Sequence, residues 1–257
     1  MSLDFLALLM VGAAAGGFVN GLAGFGTALF ALGFWLNIMP PQQAVAIVLI
    51  MSILSGLQGI YIVRASIAAN PGRLLQFLLP ALVGVPVGIT LLEHIDAAAL
   101  KVTIGIFMLI YGGFFIARQS LPLVEGARFY TQVLIGFLGG VLGGAASLSG
   151  ALPTMWCTLR PWTKADQRAI LQPFNVIVLT ASAVILFTRG AYVRETLIWI
   201  ILALPTTMLA AQLGIMMFRR LTDVQYKRLL VALMFVSGFV LLASELITPA
   251  RSLFGLG

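Results

Sequence analysis

The first long uncharged run of the chain, residues 5–39, constrains its fold more than any other feature. About 20 apolar residues let a helix cross the ~30 Å hydrocarbon core of a bilayer, so a run of 35 is too long for one perpendicular helix. Seven glycines lie between Gly12 and Gly33. Because glycine tolerates tight backbone turns, the run predicts two helices that fold back on each other near Asn20–Gly26.

The remainder of the chain is also rich in apolar runs. Seven stretches of roughly 19 or more residues carry at most one charge, and 61% of all residues are hydrophobic against 9% charged. These stretches are apolar throughout, whereas the strands of an outer-membrane barrel alternate apolar and polar residues. The sequence therefore predicts an all-α polytopic membrane protein with about eight to ten helical spans.

Identities at constant offset indicate an internal duplication. GGFVNGLAGFGTALFALG at residues 16–33 matches GGVLGGAASLSGALPTMW at 139–156 with an offset of 123, and a later block keeps an offset of 126. We expect a first repeat over 1–117, a linker over 118–128 and a second repeat over 129–257, each repeat holding a Gly-rich helical hairpin and three transmembrane helices. The identical pairs are Gly16/Gly139, Gly17/Gly140, Gly21/Gly144, Ala23/Ala146, Ala28/Ala151, Leu29/Leu152, Gly88/Gly214, Lys101/Lys227 and Gly112/Gly238.

The distribution of Lys and Arg predicts how the two repeats are oriented. If each hairpin returns to the side from which it starts, four polar segments share one side and hold 11 of the 15 basic residues. If each long run crosses once instead, the split is 7 against 8 and shows no bias. Because Lys and Arg collect on the cytoplasmic side, the first alternative is favoured, with inverted repeats and both termini outside the cytoplasm. The four segments are 64–73, 118–128, 160–168 and 219–228.

Few residues suit catalysis or cofactor binding. The sequence has no Cys–His couple and no HExxH, GxSxG or P-loop motif, and its one cysteine, Cys157, excludes an intrachain disulfide and a multi-thiolate metal site. The net charge of +7 comes from basic residues scattered singly between apolar spans, which membrane topology explains better than nucleic acid does. We therefore expect no enzyme activity, no cofactor, no metal and no nucleic-acid partner.

The Gly-rich turns suit the binding of a small anion. Irregular backbone is tolerated in a membrane where it is buried or lines a cavity, and inverted repeats place such breaks near the midplane. N–H groups at half-helix N-termini bind anions without Lys or Arg, and the deep part of each hairpin contains neither. Nearby hydroxyl and amide groups would add donors. The candidate substrate-binding residues are Asn20, Gly24, Gly26, Thr27, Gln58, Ser147, Ser149, Gly150, Thr154, Gln172 and Asn175.

Arg168 is a further candidate for contact with the substrate. It follows the polar segment that begins at Arg160, where positive-inside topology alone would account for a basic residue. The alternative is that Arg168 faces the cytoplasmic mouth and attracts anions there.

The duplicated Gly-rich blocks, and above all GGAASLSGALPTMWCTLRPWTKADQRAILQPFN at 143–175, resemble the sulfite exporter TauE/SafE family of bacterial and archaeal membrane transporters. The likeness covers essentially the whole chain. It implies a multi-pass protein of the cytoplasmic membrane that moves small sulfur-containing anions such as sulfite, sulfoacetate and other sulfonates. A coupling proton or cation and a homo-oligomer are compatible with this class.

Three functions can be considered for a membrane protein with these features: a secondary transporter, an anion channel and an intramembrane enzyme. A secondary transporter driven by an ion gradient is the leading hypothesis, because no ATP-binding loop is present. An anion channel could use the same paired turns without alternating access. An intramembrane enzyme is disfavoured by the missing catalytic pairs.

Overall fold

The computed structural model describes residues 3–69, 71–94 and 129–253, together with isolated positions between 99 and 116. Residues 3–69, 71–94 and 129–253 form nine helices, and no described residue lies in a strand. The predicted linker 118–128 and most of the predicted span 97–117 lie outside them. The helices are α1 (Leu3–Ala23), α2 (Thr27–Trp35), α3 (Pro41–Ala69), α4 (Pro71–His94), α5 (Phe129–Ala146), α6 (Ala151–Thr158), α7 (Lys164–Thr188), α8 (Arg194–Arg220) and α9 (Asp223–Leu253).

Six of these helices are long and apolar enough to cross a membrane. They are α1, α3, α4, α5, α7 and α8. Helices α2 and α6 have nine and eight residues, so each rises only about 12–14 Å and cannot cross the hydrocarbon core. The predicted all-α polytopic fold is confirmed, and the two short helices are the exceptions to full spanning length among the described helices.

Helices α1 and α2 form an antiparallel hairpin. The indole Nε1 of Trp35, at the end of α2, donates a hydrogen bond of 3.1 Å to the Leu9 carbonyl near the start of α1. Between the two helices, Gly24 and Gly26 have φ of 85° and 101°, in the left-handed region that favours glycine. These two residues let the chain reverse direction inside the protein, and α2 returns toward the end at which α1 begins.

Helices α5 and α6 form a second antiparallel hairpin. A Cβ on Gly139 would lie 3.3 Å from Pro153 Cγ, and one on Gly143 would lie 3.0 Å from the Ser149 Cβ, so α6 runs back along α5. The intervening break contains Ser147, whose φ of 58° is also left-handed although the residue is not glycine. Such a backbone is uncommon for serine and persists only where the surroundings fix it.

Each hairpin packs on a helix from the other half of the chain. A Cβ on Gly21 of α1 would lie 2.0 Å from the Ala211 carbonyl oxygen of α8, and one on Gly140 of α5 would lie 2.0 Å from the Ala81 carbonyl oxygen of α4. No side chain fits at such distances, and small residues let membrane helices approach this closely. The glycines that suggested a duplication are therefore the contact points of two equivalent helix crossings.

Contacts between helix ends define two faces of the protein. On the basic face, defined by Arg73, Trp162 and Lys164, the Arg73 guanidinium lies 5.2 Å from the Trp162 ring, and the Lys164 backbone N–H donates 3.0 Å to Asp223. On the opposite face, Arg189 forms an ion pair with Glu93. The predicted polar loop 64–73 is largely helical instead, because α3 continues to Ala69 and Pro71 starts α4, a position that proline favours.

The two hairpins start from different faces. The Phe5 ring of α1 lies 4.6 Å from the Trp199 ring near the start of α8, at the opposite face. The second hairpin starts with α5, and a Cβ on Gly136 would lie 2.3 Å from the Phe77 carbonyl oxygen, early in the helix that leaves the basic face. This opposed arrangement is what an inverted duplication would produce, and it supports that hypothesis.

Candidate functional site

The two helix breaks touch each other in the interior. The first break is residues 24–26, before α2, and the second break is residues 147–150, before α6. A Cβ on Gly150 would lie 2.6 Å from the Phe25 Cβ, so the two breaks pack directly against each other. Helix α2 begins two residues after Phe25, at Thr27, and α6 begins one residue after Gly150. The N-termini of both short helices, with their free N–H groups and positive dipole ends, therefore lie at the same junction.

Helix α7 holds the first break through Arg168. Its Nη2 donates 2.7 Å to the Gly21 carbonyl and its Nη1 donates 3.4 Å to the Leu22 carbonyl, both in the last turn of α1. Its Nε donates 3.1 Å to Gln172 Oε1, and the guanidinium lies 4.2 Å from the Phe218 ring. Because carbonyls at a helix C-terminus lack intrahelical donors, this buried guanidinium caps α1.

Gln172 lies in a cradle of glycines. Its Nε2 donates 3.0 Å to the Gly56 carbonyl. Cβ atoms on Gly24 and Gly59 would lie 2.8 and 2.3 Å from Gln172 Oε1, so larger residues would displace the amide. The first break, α3 and α7 therefore meet around Arg168 and Gln172.

The second break is bonded to α7 and α3. Ser149 Oγ donates to Asn175 Oδ1 through a short hydrogen bond, and Ser147 Oγ lies 3.5 Å from the Val45 carbonyl. Both serines are buried. The structure thus brings Asn175 to the second break, as it brings Gln172 to the first.

Asn20 joins α1 to α3 beside the first break. Its Nδ2 donates 3.1 Å to the Ser52 carbonyl and 2.6 Å to Ser55 Oγ. Sequence reasoning missed both serines, although two hydroxyls in an uncharged run were a usable signal. It also missed Tyr226 of α9, whose hydroxyl donates 3.0 Å to the Ala23 carbonyl at the end of α1.

Several buried polar atoms around the breaks have no hydrogen-bond partner among the described residues. The donors are the Thr27 and Thr154 hydroxyls and Asn175 Nδ2, and an acceptor is Asn20 Oδ1. Such groups are rare in proteins and each costs about 1–3 kcal/mol when left unpaired. These four groups lie on the two hairpins and on α7, and buried unpaired groups are typical of residues that contact a polar ligand.

Two further predicted residues are Gln58 of α3 and Gly26 of the first break. Gln58 Nε2 lies 3.6 Å from Met208 Sδ, and no hydrogen bond among the described residues joins Gln58 to either break. Gly26 supplies the turn, and a Cβ there would meet the side chains of Val19 and Leu29. A metal site is not indicated, because the described residues contain no cluster of three His, Cys, Asp or Glu side chains.

Paired half-length helices buried among six helices that are long and apolar enough to span a membrane define the class: an α-helical, multi-pass membrane protein. The sulfite exporter TauE/SafE family matches residues 8–241, nearly the whole chain, and the chain belongs to that family. The resemblance carried by residues 143–175 is thereby confirmed. No curated protein matches the chain.

Proposed function

We propose that the chain is a secondary transporter of small organosulfur or related anions, of the sulfite, sulfoacetate and sulfonate class, held where the two Gly-rich breaks meet. An ion gradient drives the transport. The protein resides in the cytoplasmic membrane of a bacterium or archaeon. The family to which it belongs is named for sulfite export, which supports this substrate class.

The unpaired donors on the two short helices and on α7 carry the proposal. The hydroxyls of Thr27 and Thr154 and the Nδ2 of Asn175 are buried donors without acceptors among the described residues. An oxyanion supplies several acceptor oxygens at once, and hydrogen bonds to charged groups are stronger than those between neutral groups. The adjacent half-helix N-termini add a favourable potential for the same charge.

Burial of the junction favours a transporter over a channel. Ser149 and Thr154 are 0% exposed and Asn175 is 2% exposed, so solvent reaches these residues from neither face. A site closed on both faces fits alternating access, in which the site opens to one face at a time. A conducting channel needs a continuous path instead.

Flux in proteoliposomes tests the proposal. We expect sulfite uptake to saturate and to respond to an imposed ion gradient, and we expect Asn175→Ala to lower it about tenfold, because a donor to the charged substrate is lost. Ser182→Ala is the matched control: Ser182 is buried on the same helix, but its hydroxyl donates 3.0 Å to the Val178 carbonyl. Large ohmic currents would indicate a channel, and no flux of any sulfur anion would contradict the proposal.

The orientation is a separate proposal: the basic face is cytoplasmic, and both termini lie outside. Pro161, on the basic face, and Thr188, toward the opposite face, are both exposed. We expect a membrane-impermeant maleimide to label Thr188→Cys in intact cells and Pro161→Cys only after permeabilisation. The native Cys157 is buried and serves as the background control. Labelling of Pro161→Cys in intact cells would reverse the orientation.

A further inference from the structure

The junction of the breaks holds an unpaired acceptor as well as unpaired donors. Asn20 Oδ1 is buried without a partner among the described residues, while Asn20 Nδ2 donates to the Ser52 carbonyl. Since a carbonyl only accepts hydrogen bonds, the amide cannot rotate to exchange its oxygen and nitrogen. A fully deprotonated anion offers acceptors alone and would leave Asn20 Oδ1 unpaired. A ligand that forms hydrogen bonds with both the unpaired donors and Asn20 Oδ1 must itself contain a hydrogen-bond donor.

Asn20 lies at the same level of the protein as the donor Asn175. Helices α3 and α7 cross where a Cβ on Gly56 would lie 2.6 Å from Val176 Cγ2. Asn175 immediately precedes Val176, and Ser52, which binds Asn20, lies one helical turn before Gly56. The acceptor amide from α1 and the donor amide from α7 therefore flank the same helix crossing.

The positive charge that the protein places around this crossing matches a ligand with a single negative charge. The sequence has no Lys or Arg between residues 5 and 63 or between 129 and 159, so the hairpins provide only partial charges. The guanidinium of Arg168 supplies one full positive charge beside the first break, and it is bonded to protein carbonyls. That charge, with the positive end of α2, also disfavours a metal cation as the partner of Asn20 Oδ1.

From these observations we infer that the site prefers a singly charged anion that keeps an acidic hydrogen over a fully deprotonated one, and that Asn20 Oδ1 accepts this hydrogen. Within the sulfite class the ligand is hydrogensulfite and not the sulfite dianion. Asn20 is then a specificity-determining residue, because the dianion would bring a second charge and leave its oxygen unpaired. The inference rests on the proposed function and adds the protonation state of the substrate.

The protein groups near Asn20 do not themselves predict a pH dependence near neutrality. The titratable and charged groups at the end of α1 are Arg168 from α7 and Tyr226 from α9, which donate to its carbonyls. Arg219 from α8 acts on Arg168, and Cys157 from α6 acts on Tyr226. Helix α2, and α3 as far as residue 63, carry no charged side chain. None of the four is a carboxyl or an imidazole, the groups that ordinarily titrate at or below neutral pH. Hydrogensulfite itself loses its hydrogen near neutral pH.

Binding of sulfite and of methanesulfonate to the detergent-purified protein, measured from mildly acidic to mildly alkaline pH, tests the inference. Methanesulfonate is a monoanion without a titratable hydrogen in that range, so its affinity should stay constant. The apparent affinity for total sulfite should fall about tenfold per pH unit once hydrogensulfite is mostly deprotonated. Constant or rising sulfite affinity with rising pH would overturn the inference and leave the proposed function standing. Failure of both anions to bind at every pH would overturn both.

Asn20→Ala gives a second readout, with Asn37→Ala as the matched control. Asn37 is an exposed asparagine whose Nδ2 donates 2.8 Å to the Gly33 carbonyl within its own hairpin. We expect Asn20→Ala to weaken hydrogensulfite binding about tenfold and methanesulfonate binding much less, because only the first ligand donates to Oδ1. Equal weakening of both ligands would overturn the role of Asn20 even if the protein remains folded.

Discussion

Arg168→Gln should lower the free energy of unfolding of the detergent-purified protein by about 3 kcal/mol, because two carbonyls at the buried end of α1 lose their donors. In the folded protein Arg168 is fully buried and its Nη atoms bond the Gly21 and Leu22 carbonyls. A glutamine at this position is too short and has too few donors to replace the guanidinium. Thermal unfolding followed by circular dichroism measures the change.

Arg220→Gln is the control for Arg168→Gln, since it removes the same charge from an exposed position at the end of α8. It should change stability little. Arg168→Lys keeps the charge but offers a compact ammonium in place of a planar fork, so it should restore only part of the lost stability. If Arg168→Gln were as stable as Arg220→Gln but lost anion uptake, Arg168 would act on the substrate and not as a helix cap.

Combining Thr27→Val with Thr154→Val should weaken sulfite binding about 100-fold while leaving the unliganded protein equally or more stable. Each hydroxyl is buried and unpaired among the described residues, so its removal relieves an unfavourable burial. Each would donate to the charged anion, and hydrogen bonds of that kind contribute about 1.5–3 kcal/mol. Calorimetric titration with sulfite and a thermal melt without ligand give the two quantities.

Weaker sulfite binding together with unchanged or higher stability of the double variant would indicate that the two hydroxyls bind ligand and do not stabilise the fold. Thr207→Val is the matched control, because the Thr207 hydroxyl is also buried but donates 3.1 Å to the Ala203 carbonyl. That variant should leave sulfite affinity unchanged. A Thr27→Val/Thr154→Val protein that melts at a lower temperature and binds sulfite normally would assign both hydroxyls to the fold.

The positions of the helix breaks could be predicted because their causes are local. Glycines in an uncharged run too long for one helix indicated a reversal near Asn20–Gly26, and Gly24 and Gly26 have the left-handed backbone there. The resemblance at 143–175 likewise identified the family. The length of an apolar run and the distribution of Lys and Arg depend on the surroundings of each segment by itself, so they could be interpreted without knowing how the helices pack.

The surroundings of Arg168 could not be predicted because they depend on distant parts of the chain. Its sequence neighbours form a polar segment, which suggested an exposed mouth, yet its bonding partner Leu22 lies 146 positions away. The link from Asn20 to Ser52 and Ser55 depends in the same way on how α1 and α3 pack. The roles of the candidate residues in substrate binding remain predictions for the variants above.

The crossings of α1 with α8 and of α4 with α5 bear on how the protein is made. Gly17 of α1 packs against Thr207 of α8, so 190 positions of chain separate a helix that is synthesised early from its main partner. The separation between α4 and its partner α5, which contacts α4 through Gly140, is shorter. Until α8 is synthesised, the small-residue surface of α1 lacks the partner that it has in the folded protein. In our hypothesis the two sequence repeats arose by duplication of one segment. They do not fold separately, because each repeat needs helices of the other, and these contacts form late and between distant parts of the chain.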